Sequence, residues 1–375
     1  MIDTVKLLVP IHDPRVLDGS RFTPITLEQL ANANGSSRTY LNPSPTYAKM
    51  GKYMPRLTMF RRPSKLGTVY QLAIEFSAPK LIFGNNFDEL SDVDFEQVLT
   101  ALQQALFELL NHRFFKQQLA QAEVGAIHPS KNIVFLDYTA SQTVLSAIAK
   151  LDISRVYDVQ KTDFRDGHVV HIHCNSLDIA LYDKMADLRR SKISQKRAVE
   201  KDSIIQLSLL DNLEDYRPIE VFRYEVRING KAAIKRAYSE LDSWTFEVLF
   251  KQKLCQAVLL KHWQQITKSV DLLALDVNKP YELLQNYLSE NPHLKPRTAL
   301  AAVAGLLIGS QEGAGALRNT IEAHFGQAAW YSLKPLLNSP KPNRYMYFTR
   351  IEEVLERFQP VRFVDYKTNI ENSSK

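Results

Sequence analysis

The chain has 375 residues, 45% of them hydrophobic, with 47 Lys and Arg against 41 Asp and Glu and a formal net charge of +6. That length and apolar content support a globular fold of two or three domains, and the basic excess favours an anionic partner. Two cysteines, Cys174 and Cys255, exclude a disulfide framework or a cysteine zinc cage, and no apolar run approaches a bilayer span, so a cytoplasmic protein with no membrane partner is expected.

In chain order, Ile2 to Val9 alternates apolar and polar residues and predicts a strand, as does Val69 to Ser77, which stops before Pro79. Asp92 to Asn111 opens on acidic residues suited to a helix N-terminus and continues with apolar residues at helical spacing. Asn132 to Tyr138 predicts a strand, Ser141 to Leu151 a helix, and Gly167 to Tyr182 a hairpin turning near Asn175 and Ser176. A basic helix is expected over Asp187 to Lys201, followed by a last strand over Val221 to Asn229. From about Asp242 the pattern is helical: Trp244 to Lys268, Arg297 to Ile308, Ala316 to His324 and Ala328 to Leu337, the shorter segments joined by glycine-bearing links. The expected organisation is an α+β region over 1–241, a helical C-terminal region over 242–368 and a disordered tail over 369–375. The helical region either reads DNA or only packs against the first region.

In the expected hairpin, His171 and His173 share one strand face because side chains repeat every two residues, so both imidazoles can meet one divalent ion. Tyr182 follows as a candidate nucleophile, with Lys184 beside it. A phenol with a pKa near 10 attacks poorly, and a metal that neutralises a phosphate, helped by a lysine, offsets that weakness. The structural alternative is a pair of strand histidines and a tyrosine packed in a core. Asp137 and Glu225 sit in strand-like runs where an ionised side chain is costly unless engaged, so each is a candidate metal ligand. Arg223, Glu225 and Arg227 share a face by alternation, which suits an ion-pair row or a carboxylate ligand flanked by phosphate-binding arginines. With the histidines, these oxygen and nitrogen donors suit Mg or Mn.

Tyr47 to Lys65 mixes Lys49, Lys52, Arg56, Arg61, Arg62 and Lys65 with Tyr47, Tyr53 and Phe60. Rings among cations hold single-stranded nucleic acid, although a solvated loop with core aromatics reads the same way. No phosphate-binding loop, dinucleotide fingerprint, nucleophile elbow or HExxH helix is present, which leaves ATPase, dinucleotide, serine-hydrolase and zinc-protease readings without a starting point.

Four stretches in order, Ile74 to Leu90 (IEFSAPKLIFGNNFDEL), Leu136 to Ser141 (LDYTAS), Ile179 to Lys184 (IALYDK) and Phe222 to Ile228 (FRYEVRI), precede a helical C-terminal region. Together they resemble the filamentous-phage gene II/X replication-initiation family of phages and plasmids. The resemblance covers most of the chain at modest identity, and the first and last stretches are the most specific. It implies a rolling-circle replication initiator with an HUH-endonuclease-like α+β fold, an antiparallel catalytic sheet with helices on one face. In that family the tyrosine matching Tyr182 attacks the origin strand and becomes joined to its 5′ end, and Asp137 and Glu225 match acidic positions. Two departures stand out: the family's arginine two residues before its aspartate is Phe135 here, and the His-Ile-His pair resembles the broader histidine-hydrophobic-histidine endonuclease motif instead. The implied partners are double-stranded and single-stranded origin DNA, with a host helicase and polymerase. Candidate DNA contacts are Arg189, Arg190, Lys196, Arg197, Arg223, Arg227, Lys52, Arg61 and Arg62. Two other readings stay open: a non-catalytic DNA-binding regulator in which Tyr182 is structural, and a relaxase or transposase that transfers strands.

Overall fold

Nine strands form one sheet in the computed structural model, which describes residues 1–65, 67–136, 139–151, 163–165, 167–173, 177–187, 220–267, 280–337 and 346–362. They are β1 Ile2–Ile11, β2 Ser37–Leu41, β3 Arg56–Ser64, β4 Gly67–Ser77, β5 Glu123–Phe135, β6 Asp163–Arg165, β7 Val169–His173, β8 Leu177–Asp183 and β9 Glu220–Asn229. Their order across the sheet is β2-β3-β4-β1-β5-β9-β8-β7-β6, and every neighbouring pair is antiparallel.

Alternation gives the sheet two chemically different faces. On β1, Val5, Leu7 and Val9 are buried, while Lys6 and Leu8 between them are partly exposed. The apolar face carries helices. Phe76 of β4 meets Phe246 edge-on at 5.9 Å between ring centroids, and Tyr224 of β9 packs against Trp263 and donates its hydroxyl to Leu259 O at 3.1 Å. Burial of a phenylalanine such as Phe76 stabilises the fold by about 1.5–3 kcal/mol. The expected antiparallel sheet with a helical C-terminal region is therefore present.

Some elements differ from expectation for local reasons. The expected helix over Trp244 to Lys268 is two helices, Phe246–Leu249 and Gln252–Thr267. Phe250 leaves helical geometry at φ −79 and ψ 66, and the second helix starts where Asp92 Oδ1 accepts the Gln252 N–H at 2.7 Å. Strand β3 lies inside the basic and aromatic segment, whose cations mask an alternation of buried Leu57 and Met59 with Thr58 and Phe60. Strand β5 starts well before Asn132 and ends at Phe135. Asp137 and Tyr138, most of the expected basic helix, and the 369–375 tail lie outside the described residues.

The packing divides later than position 242. Phe246, Trp263, Phe348 and Leu355 join the core of the sheet. A second cluster, including Tyr287, Ala302, Leu306, Leu317 and Trp330, is formed by the helices Pro280–Glu290, Pro296–Glu312, Ala314–Phe325 and Gln327–Leu333. A change from strands to helices in the sequence is thus not a change of core. Among the described residues, no helix is long and apolar enough to cross a membrane.

Candidate functional site

Strands β7 and β8 form a hairpin in which Val169 lies opposite Tyr182, His171 opposite Ala180 and His173 opposite Asp178. Strand β9 continues the ladder, placing Arg223 opposite Tyr182, Glu225 opposite Ala180 and Arg227 opposite Asp178. Val170, Ile172, Ile179 and Leu181 point into the core, which leaves His171, His173, Asp178 and Tyr182 on the polar face.

His171, His173 and Asp178 offer one ligand atom each, all within 4.8 Å of one another. Asp178 Oδ1 lies 3.2 Å from His173 Nδ1 and 3.8 Å from His171 Nδ1, and the two imidazole centroids are 5.3 Å apart. That oxygen is buried and accepts no hydrogen bond. A buried acceptor left in this state costs about 1–3 kcal/mol, and more for a charged group, so the two-imidazole, one-carboxylate set fits a cation that would engage it. The other oxygen of Asp178 accepts from Arg227 Nη1 at 3.2 Å, and Arg227 Nη2 donates to Glu225 Oε2 at 3.1 Å. The guanidinium thereby fixes the carboxylate, as outer partners do around metal ligands. His128 Nδ1 lies 3.4 Å from Glu225 Oε1. Burial alone would raise the Glu225 carboxyl, but Arg227, His128 and Arg223 hold it well below the ordinary range.

On the other side of Tyr182 lies a buried polar cluster. Arg223, 1% exposed, pairs with Asp3 at 2.9 Å and donates to Asn86 O at 2.8 Å, Asn132 Oδ1 at 2.9 Å and Ser130 Oγ at 3.2 Å. Beyond the end of β1, Glu89 takes over the free edge of β5, accepting the Asn132 N–H and pairing with buried Lys131. Lys184 is also buried and donates to Asn86 Oδ1 at 2.7 Å. Burial, with Arg223 next in effect, brings its ammonium down to about 7. Tyr182 is half-buried, opposite Arg223 and diagonal to His171. Diagonal neighbours stand about 7–8 Å apart, within reach of an aromatic side chain. Burial pushes the Tyr182 phenol up, against the pull of Arg223.

The sequence-predicted residues thus sort into groups. His171 and His173 come together, joined by Asp178, which sequence reasoning missed. The signal for it was available in the two-residue repeat: the expected turn near Asn175 and Ser176 lies outside the described residues, but the strand register sets His173 opposite Asp178. Glu225 shares the face but is held by Arg227 and His128, outside the three-residue group. Arg223, expected as a DNA contact, is a correction: it is 1% exposed and both its Nη atoms are taken by Asp3, Asn86, Asn132 and Ser130, so it stands here as a structural cation. Arg227 likewise serves Asp178 and Glu225. Arg61 donates to Gly35 O and to Thr68 Oγ1, and Lys52 pairs with Glu108, whereas Arg62 is exposed over the Phe60 ring. Lys184 would have to release Asn86 to reach a phosphate. Asp137, Arg189, Arg190, Lys196 and Arg197 lie outside the described residues. Comparison with protein-family models, curated proteins and solved structures finds no match for this chain.

Proposed function

We propose that the chain is a rolling-circle replication initiator with an HUH-like active site, a metal-dependent enzyme that nicks and rejoins one strand at a phage or plasmid origin. The observation that supports this reading best is the grouping of His171, His173 and Asp178 on the polar sheet face, with Tyr182 on the adjoining diagonal. Those three side chains would hold a divalent ion, and Arg227 would orient the carboxylate. Two imidazoles with one carboxylate suit Mn better than Mg, which prefers oxygen ligands and retained waters. A bound ion supplies charge neutralisation at the scissile phosphate.

The chain's own residues carry the rest. Tyr182 Oη gives up its proton to solvent and attacks phosphorus, the Oη–P bond forms as the P–O3′ bond breaks, and the leaving 3′ oxygen takes up a proton from solvent. The phosphotyrosine keeps the 5′ end, so a later 3′-OH can reverse the step and close the displaced strand. The freed 3′-OH would meanwhile serve a host polymerase behind a host helicase. Arg223, opposite Tyr182, counters part of the burial that disfavours a phenolate. The basic excess of the chain favours the DNA partner. Incubation with Mn and the supercoiled parent replicon should yield nicked circles with protein on the 5′ end, abolished by chelation and by Tyr182→Phe. Tight binding with no adduct would favour the non-catalytic regulator instead.

A further inference from the structure

The half of the sheet away from the histidines carries a second feature that the nicking chemistry does not use. On β2 the Arg38 guanidinium lies over the Tyr40 ring at 5.5 Å, and on β3 that of Arg62 lies over the Phe60 ring at 5.0 Å. The register places Arg38 opposite Phe60 and Tyr40 opposite Thr58, so both pairs lie on the polar face, while Leu57, Met59, Leu72 and Ile74 fill the apolar one. A recess beside them is lined by Lys6, Phe60, Arg62, Gln71, Gly125 and Lys231. The two carboxylates at its margins, Glu75 and Glu123, are each paired with a lysine, Lys6 and Lys231. Arg38 and Arg62 therefore stand as exposed positive charge on this surface.

Rings and guanidinium planes interleaved on an open sheet suit unpaired bases, which stack on either kind of plane while cations follow the backbone. A duplex keeps its base faces stacked internally and offers nothing to such rings. An acidic peptide would use the arginines and leave the rings without a role. We propose that the polar face of β1–β4 is a single-strand-binding platform that holds DNA through Arg38, Tyr40, Phe60 and Arg62. Phe60 on β3 and Tyr182 on β8 are separated by five strand steps. At about 4.8 Å per step the separation is about 24 Å, or about seven nucleotides at ~3.4 Å each and fewer in a stretched strand. The platform would hold the strand that leads away from the tyrosine, but its binding does not depend on cleavage.

Fluorescence anisotropy of the full chain with labelled oligothymidylate in EDTA, where metal chemistry is silent, tests this. The wild type should bind the oligothymidylate more tightly than a duplex of equal length. Tyr40→Ala and Phe60→Ala should each weaken that binding by about fivefold to a hundredfold, while Tyr40→Trp and Phe60→Trp retain it. Arg38→Gln with Arg62→Gln, both exposed positions, should lower the salt slope by about 1.4. Tyr182→Phe and Asp178→Asn should bind as wild type does. Alanine variants with unchanged melting and unchanged affinity, or equal binding of duplex through the same residues, would overturn the platform. Absence of nicking in any metal would sink the proposed enzyme and leave this result standing.

Discussion

Replacing Arg223 with methionine should destabilise the folded chain by about 2–4 kcal/mol. Removing one member of a buried ion pair costs about 3–5 kcal/mol, because Asp3 would stay in the interior without its cation. Arg223 Nε already lacks an acceptor, so its deletion returns about 1 kcal/mol. At about 2–4 °C per kcal/mol, the melting temperature near neutral pH should fall by about 4–16 °C. Burial raises the Asp3 carboxyl, but Arg223, together with Lys184 and Lys80, holds the group below its ordinary value. The contribution is therefore complete above the unfolded carboxyl's pKa and is lost as pH falls through the folded one. The gap between wild type and variant should be widest near neutrality and narrow below about pH 4. Asp3→Asn in the Arg223→Met background should recover part of the loss, since no charge is then stranded. Thermal unfolding followed by circular dichroism measures all of this. An unchanged melting temperature, or a double variant no better than the single one, would refute the reasoning.

The remaining predictions concern the same face and its support. Lys184, brought down to about 7 in the fold, makes stability rise with pH between about 7 and its unfolded value near 10.4, by up to about 1.4 kcal/mol per pH unit. Lys184→Met should abolish that slope, and parallel stability curves for the two chains would contradict the burial of its amine. Asp178→Asn preserves shape but removes the ligand charge, so Mn affinity measured by calorimetry should fall at least about tenfold, as should that of the doubly substituted His171→Ala, His173→Ala chain. Unchanged Mn binding in both would exclude the site. Trp263→Ala empties a fully buried position between Tyr224 and Phe348 and should cost about 3–5 kcal/mol in urea unfolding. A loss under about 1 kcal/mol would mean that the Gln252–Thr267 helix does not pack on the sheet as described.

How much of this was legible depended on whether the controlling contact was local. The pairing of β7 with β8 was readable because the alternation of both strands lies within one short stretch, and the shared face of His171 and His173 follows from a two-residue repeat. The fate of Arg223 was not, since its partners Asp3, Asn86, Ser130 and Asn132 lie far off in the chain and meet only when β1, β5 and β9 assemble. Alternation put Arg223, Glu225 and Arg227 on one face correctly, but a sequence period cannot say which part of a face is covered. The split of the Trp244 to Lys268 segment had the same cause: the residue that receives the Gln252 N–H is Asp92, in a distant turn. Strand β3 was obscured by its own cations, of which Arg56 and Arg62 are exposed on the polar face.

The central claim is that Tyr182 forms the covalent link to DNA beside His171, His173 and Asp178. Its most direct test is peptide mapping by mass spectrometry after reaction of the full chain with Mn and supercoiled parent replicon, followed by nuclease digestion. The account predicts a nucleotide joined through its 5′ phosphate to the peptide containing Tyr182, absent in chelator and absent in Asp178→Asn. An adduct on another tyrosine, a 3′ linkage, or nicking with no protein adduct would contradict it.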